Sequence, residues 1–198
     1  MKIVVAQPSE TRLARASTEL LLSCAPPVLV NHCQRAFQFA WRLGEVRGWT
    51  VDRELLYIST MLHDLGLTKR FDGPAGFEME GADAAARFLR ERDYPEDRIR
   101  TVYDAIALHL DMEREPHEPP EVRLCASGSG VDTHALRIDE VGPEFVAAVV
   151  DAWPRLGFRN WLRQECRARA VDKPDSKIAR WFDMGRMPEG MGHPTFTE

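Results

Sequence analysis

Apolar residues recur every three to four positions along most of this chain and seldom alternate, so the pattern predicts helices joined by polar breaks. A first helix is expected from Pro8-Ser9-Glu10, with Leu13, Ala16, Leu20 and Leu21 on one stripe, until Ala25-Pro26-Pro27 interrupts it. A longer one runs from about Val28 to Arg47 and closes at Gly48, with His32, Ala36, Phe39, Ala40 and Leu43 facing inward. Asp52 caps a third, which ends at Gly66 and turns Leu55, Leu56, Ser59, Leu62 and His63 to the core. Further helices are expected from Glu78 to Arg92, Glu96 to Leu110, Glu121 to His134, Pro143 to Trp153, Phe158 to Val171 and Ser176 to Met184. Loops at Leu67 to Phe77 and Asp111 to Pro120, and a tail from Gly185, complete the chain. The expected fold class is all-α.

Four small residues, Ser127-Gly128-Ser129-Gly130, sit inside one of these helices. Each glycine costs about 1 kcal/mol of helix stability relative to alanine, so another segment is expected to come close to the backbone there.

Length sets the scale of the molecule. A chain of 198 residues can bury a substantial core as one domain. We expect residues 1–27 to form an N-terminal helical segment, 28–157 the core that carries chemistry, and 158–198 helices and a tail packed on the same domain. Net charge is -5 with both signs interleaved, which lacks the concentrated cationic footprint of a nucleic-acid binder. No apolar run approaches the roughly 20 residues that span a bilayer, so a cytoplasmic protein without a membrane partner is expected. The four cysteines form no CxxC pair and are expected to be reduced and packed as small hydrophobes, Cys33 included despite its place beside His32.

His32, the pair His63-Asp64, and Asp132 come from three different helices, each from an inward-facing position. Buried ionisable groups are costly unless paired or bound to metal, and one divalent cation would resolve that cost for all four. Two imidazoles and two carboxylates suit zinc or iron first, with manganese or nickel as alternatives. Without thiolates the set is unlike a closed structural zinc site, so open positions should remain for water. Bound to such an ion, water falls in pKa from about 15.7 to about 7 and becomes a nucleophile at neutral pH.

The split pattern of His32, then His63-Asp64, then Asp132, with Asn31 and Arg35 around the first histidine, resembles the HD-domain superfamily of metal-dependent helical enzymes. The likeness spans about Val28 to Gly157 and implies a single-domain HD-type bundle with His32, His63, Asp64 and Asp132 as metal ligands. Leu62-His63-Asp64-Leu65-Gly66-Leu67, Arg70-Phe71-Asp72-Gly73-Pro74, Phe77-Glu78-Met79-Glu80-Gly81-Ala82-Asp83 and Ala105-Ile106-Ala107-Leu108-His109 resemble its cyanamide-hydratase-like branch. The chain departs from that branch after His109, where Asp111-Met112-Glu113-Arg114-Glu115 replaces a Thr/Ser-rich continuation.

The resemblance implies hydration or hydrolysis of a small molecule, such as cyanamide to urea. Asp64 and His109 are the candidate catalytic groups, histidine being the side chain that changes charge between about pH 5 and 8. His109 has a second reading, as a group that hydrogen-bonds a metal ligand. An HD-type phosphohydrolase is the alternative, in which Arg35, Lys69 or Arg70 would neutralise phosphate oxygens, although Arg35 reads equally as a structural ion-pair donor. A non-catalytic metal- or ligand-binding regulatory domain is the third reading. Glu80, with Glu78, either complements a helix N-terminus or contacts substrate, and Asp72 starts an Asp-Gly turn. His117, His134 and His193 are not assigned to the metal. Trp153, Phe158, Trp161, Trp181 and Phe182 are expected in the core or in a homodimer contact, covering the site from the C-terminal side.

Overall fold

Pro26 and Pro27 start a helix, because proline lacks the N–H that a helix interior needs but is suited to its first position, whereas the preceding helix has already closed at Ser23. The computed structural model, which describes residues 5–111, 118–185, 187 and 196, places them at the entry to the longest helix. The elements are α1 (Arg12–Leu22), α2 (Pro27–Val46), α3 (Arg53–Leu62), α4 (Phe77–Arg90) and α5 (Glu96–Ala107), then α6 (Pro120–His134), α7 (Ile138–Val141), α8 (Pro143–Ala152), α9 (Phe158–Asp172) and α10 (Lys177–Asp183). No strand occurs among the described residues, so the architecture is an all-α bundle. Their helices include none long and apolar enough to cross a membrane.

α2 is the central element. It packs most extensively on α6, and α3, α7, α8 and α9 also lie against it. The close approach expected near Gly128 is the backbone of α2: a Cβ on Gly128 would lie 2.3 Å from the Ala36 carbonyl oxygen and 2.7 Å from the Ala40 methyl. Only glycine lets the two helices approach this far. That contact brings His32 and Arg35 on α2 face to face with Asp132 on α6.

Several element ends differ from the sequence expectation. α1 starts later than Pro8-Ser9-Glu10, at Arg12, because the Thr11 hydroxyl accepts from the Ala14 N–H at 3.1 Å and sets the cap there. α3 is capped by Asp52 as expected, its carboxylate accepting from the Leu55 N–H at 3.0 Å, but it ends at Leu62 and not at Gly66. A single 3₁₀ turn over Leu65–Leu67 follows. Gly66 in that turn is pressed against Phe77, whose carbonyl oxygen would lie 2.0 Å from an added Cβ. α5 likewise ends early, at Ala107, leaving His109 in the turn beyond it. The short α7 was not expected.

The expected loop between α3 and α4 is a docking point for the C-terminal helices. Arg169 on α9 donates to the Leu67 carbonyl at 2.8 Å, and Lys173 pairs with Asp72 at 2.6 Å. Lys177 on α10 pairs with Asp111 at 2.9 Å. The rest of the expected 111–120 loop, at 112–117, lies outside the described residues, as does most of the tail from Gly185.

Candidate metal centre

His63 and Asp64 follow the last turn of α3, with Asp64 at φ -107° and ψ 18°, outside helical geometry. On a straight helix adjacent side chains diverge by about 100°. Here the chain leaves the helix between them, and both turn to one point, where they meet His32 from α2 and His109 from beyond α5. All four are buried, none more than 3% exposed.

Hydrogen bonds at the far side of each ring decide what faces that point. His63 Nδ1 donates to the Thr60 carbonyl and His109 Nδ1 to the Ile106 carbonyl, both at 2.7 Å. A carbonyl can only accept, so each Nδ1 carries a proton and each Nε2 is the nitrogen left to face the cluster. His32 Nδ1 donates to Asp132 Oδ2 at 2.7 Å, which leaves His32 Nε2 to face the cluster. His32 Nε2 then lies 3.1 Å from His63 Nε2, and Asp64 Oδ2 lies 3.4 and 3.3 Å from the two. Two imidazole nitrogens and a carboxylate oxygen turned to one point in a dry interior need a cation among them, a shared proton or a metal ion. The donor set of His32, His63 and Asp64, whose ligand atoms all lie within 4.8 Å of one another, therefore fits a divalent metal. Asp64 Oδ1 faces the other way, 3.5 Å from His109 Nε2.

The electrostatics agree with this arrangement. Burial, with the neighbouring His109 and His32, depresses His63 to about 4 although Asp64 opposes it. Burial also works against a charged His32, but its hydrogen bonds to Asp132 and Asp64 outweigh that and hold its pKa above the ordinary value. Burial would raise Asp64; the surrounding histidines, His63 foremost, hold it well below the usual carboxylate range. Asp132 is likewise held low against its burial, chiefly by Arg35.

Asp132 does not face the cluster. Its Oδ1 accepts from Arg35 Nε at 2.8 Å and Arg155 Nη1 at 2.7 Å, and its Oδ2 from Arg35 Nη2 at 2.8 Å and from His32. The four-ligand set expected from the sequence is thus divided: three of its members converge, and Asp132 stands behind His32.

Beside His109 and Asp64 the centre opens into a cavity of about 20 Å³, room for roughly one or two water molecules. Phe77, Leu110, Leu162, Ile178, Trp181 and Met187 make most of its wall, and Ser129, Thr133 and His134 supply its polar edge. The four substrate-binding residues expected from the sequence lie elsewhere. Arg35 is fully buried against Asp132; Lys69 is exposed; exposed Arg70 reaches the Ser23 hydroxyl at 3.2 Å. Glu80 accepts from the Ala75 N–H at 2.8 Å in the first turn of α4. Their ends are taken by an ion pair at Arg35, by solvent or a hydroxyl at Lys69 and Arg70, and by a backbone N–H at Glu80, each nearer than the enclosed centre.

Of the histidines not assigned to the metal, His117 and His193 lie outside the described residues. His134 lines the cavity wall, edge-on to Trp181 at 5.7 Å. Phe158 stacks on the His32 ring at 4.3 Å and 16°, so α9 does cover the centre. Arg155 escaped sequence reasoning altogether; it sits in a non-periodic turn that names no partner. Ser129 and Thr133 carried a signal, being four apart on the helix that bears Asp132. Cys33 Sγ approaches His63 only at Nδ1, the nitrogen turned away from the cluster, at 3.9 Å. Burial pushes its thiol well up. All four cysteines are free.

The HD domain family model matches residues 29–136, more than half of the chain. Two curated relatives, the cyanamide hydratases DDI2 and DDI3 of Saccharomyces cerevisiae, are each 24% identical over 178 residues, covering 87% of this chain and 77% of the relative. The family match contains His32, His63, Asp64, His109 and Asp132, and stops before Arg155 and the covering helices α9 and α10.

Proposed function

The chain belongs to the HD-domain family of metal-dependent helical enzymes, and on that premise we propose that it hydrates a small nitrile-like molecule such as cyanamide. The observation that carries this reading is the cavity, which is small, largely apolar and bounded by no arginine or lysine among the described residues. A nitrile of a few heavy atoms suits it. A phosphate ester would bring negative charge to a wall that, the metal aside, has no arginine or lysine among its described residues to receive it. The name of the two yeast relatives points the same way.

His32, His63 and Asp64 Oδ2 would hold the ion. When bound, a divalent ion supplies a Lewis acid that makes water nucleophilic near neutral pH. The protein residues supply the rest. His109 Nε2, on the cavity wall and across from Asp64 Oδ1, takes a proton from the attacking water as its oxygen bonds to the nitrile carbon. The same Nε2 returns a proton to the nitrile nitrogen, and tautomerisation gives the amide, which for cyanamide is urea. The Ile106 carbonyl on Nδ1 holds the ring in the tautomer that this transfer needs. The apolar wall excludes bulk water and so strengthens each polar contact inside.

The test is a substrate panel on metal-loaded protein: cyanamide, other small nitriles, and phosphate mono- and diesters. Urea formation from cyanamide with no phosphate release is the expected result. Turnover of phosphate esters alone would replace this reading with the phosphohydrolase, and turnover of nothing would favour a regulatory domain.

A further inference from the structure

The geometry points to Arg155 and Asp132 as positioning residues of the metal centre: with Arg35, Arg155 occupies Asp132 so that the acid orients His32 and does not ligate the ion. The inference rests on the metal-binding reading above and not on the substrate.

A carboxylate has about four acceptor directions. All four of Asp132 are taken, by the fork of Arg35, by Arg155 Nη1 and by His32 Nδ1, at 2.7 to 2.8 Å. No lone pair is left for an ion. A carboxylate bonded to the outer nitrogen of a metal-binding histidine fixes its tautomer and ring orientation and raises its basicity.

The turn that delivers Arg155 looks built for the task. Leu156 and Gly157 both adopt left-handed backbone, at φ 55° and 72°. For a leucine that is a strained conformation, held although the residue is 55% exposed. The bend turns Arg155 and Phe158 inward together. Phe158 stacks on His32, and the Arg35 and Arg155 guanidinium carbons each lie 5.3 Å from its ring centre. The same turn holds Arg35, whose Nη1 donates to the carbonyls of Trp153 and Pro154 at 3.0 and 3.2 Å. A segment outside the residues matched by the family thus sets the role of an acid inside them.

Cobalt(II) added to chelator-treated protein is the probe, read by its visible absorption bands and by affinity in chelator competition. Wild type, Asp132→Asn, Arg155→Met and the double variant are compared, each checked for folding by circular dichroism. Every variant is expected to bind one cobalt with unchanged band positions, with affinity lowered about 10- to 100-fold. The double variant should be no weaker than Asp132→Asn alone, because both residues act through His32. Arg155→Lys should recover part of the loss, and it carries the comparison if Arg155→Met does not fold. Shifted bands or lost stoichiometry in Asp132→Asn would make that acid a ligand and overturn the inference. So would additive losses, or no loss at Arg155. Wild type that binds no cobalt would sink the metal reading itself, a result distinct from these.

Discussion

Asp64 has one carboxylate oxygen on each side of the centre: Oδ2 toward His32 and His63, Oδ1 toward His109. Removing the side chain removes both roles, so Asp64→Ala should lose bound metal and turnover together, measured by plasma mass spectrometry beside the activity assay. Survival of activity in that variant would place the chemistry elsewhere. His109 is separable from the ion. His109→Gln should keep its metal and lose about 10²- to 10⁴-fold in kcat, the usual contribution of a positioned acid–base group. If metal leaves with His109, the ring is a ligand and the proton-transfer role is wrong.

Among the elements, the contact of α2 with α6 matters most, since it sets His32 and Arg35 against Asp132. Gly128→Ala drives a methyl into the Ala36 carbonyl and the Ala40 methyl, and neither a helix backbone nor a short side chain can swing away. A loss of about 1–3 kcal/mol is expected from such overpacking, only partly offset by the roughly 1 kcal/mol that alanine gains in helix propensity. Urea unfolding should show it as a lower midpoint. Metal affinity should fall as well, because spreading the helices lengthens the bonds that Asp132 makes across them. Unchanged stability would mean that the helices can part freely at this point.

For the whole molecule, stability and occupancy of the centre are linked. At a free metal concentration 100 times Kd, binding should add about 2.7 kcal/mol, seen as a drop in Tm when chelator is added. The metal-free protein should show a maximum of stability near pH 6.5. His63, depressed to about 4 from the ordinary 6.5, binds its proton more readily in the unfolded chain, so stability falls as pH drops through that interval. His32 has the opposite sign: its raised pKa contributes fully below 6.5 and is lost as pH rises through the folded value. Thermal melts across pH test both limbs, and His63→Gln should flatten the acidic one. A metal-free protein equally stable at pH 4 and pH 6.5 would contradict the burial of a neutral His63.

The sequence by itself determined the longer helices and which apolar side chains lie inside, because apolar spacing and capping chemistry are local. Asp52 starts α3 as its position before an apolar run predicts, and Gly128 announced a close backbone approach through its helix cost. His32, His63, Asp64 and Asp132 could be chosen as a set because burying four ionisable groups in one core needs a common explanation. What each of them faces was decided only in three dimensions. The role of Asp132 depends on Arg155, which is 23 residues away in a turn with no periodic signal. The convergence of His63 with Asp64 depends on a helix ending where Gly66 meets Phe77. Arg35, Lys69, Arg70 and Glu80 have the right chemistry for a charged substrate, but the ion pairs, turns and solvent that claim their ends belong to the packed chain. Spacing records which groups are buried, whereas hydrogen-bond direction, set by distant partners, decides which of them can hold an ion.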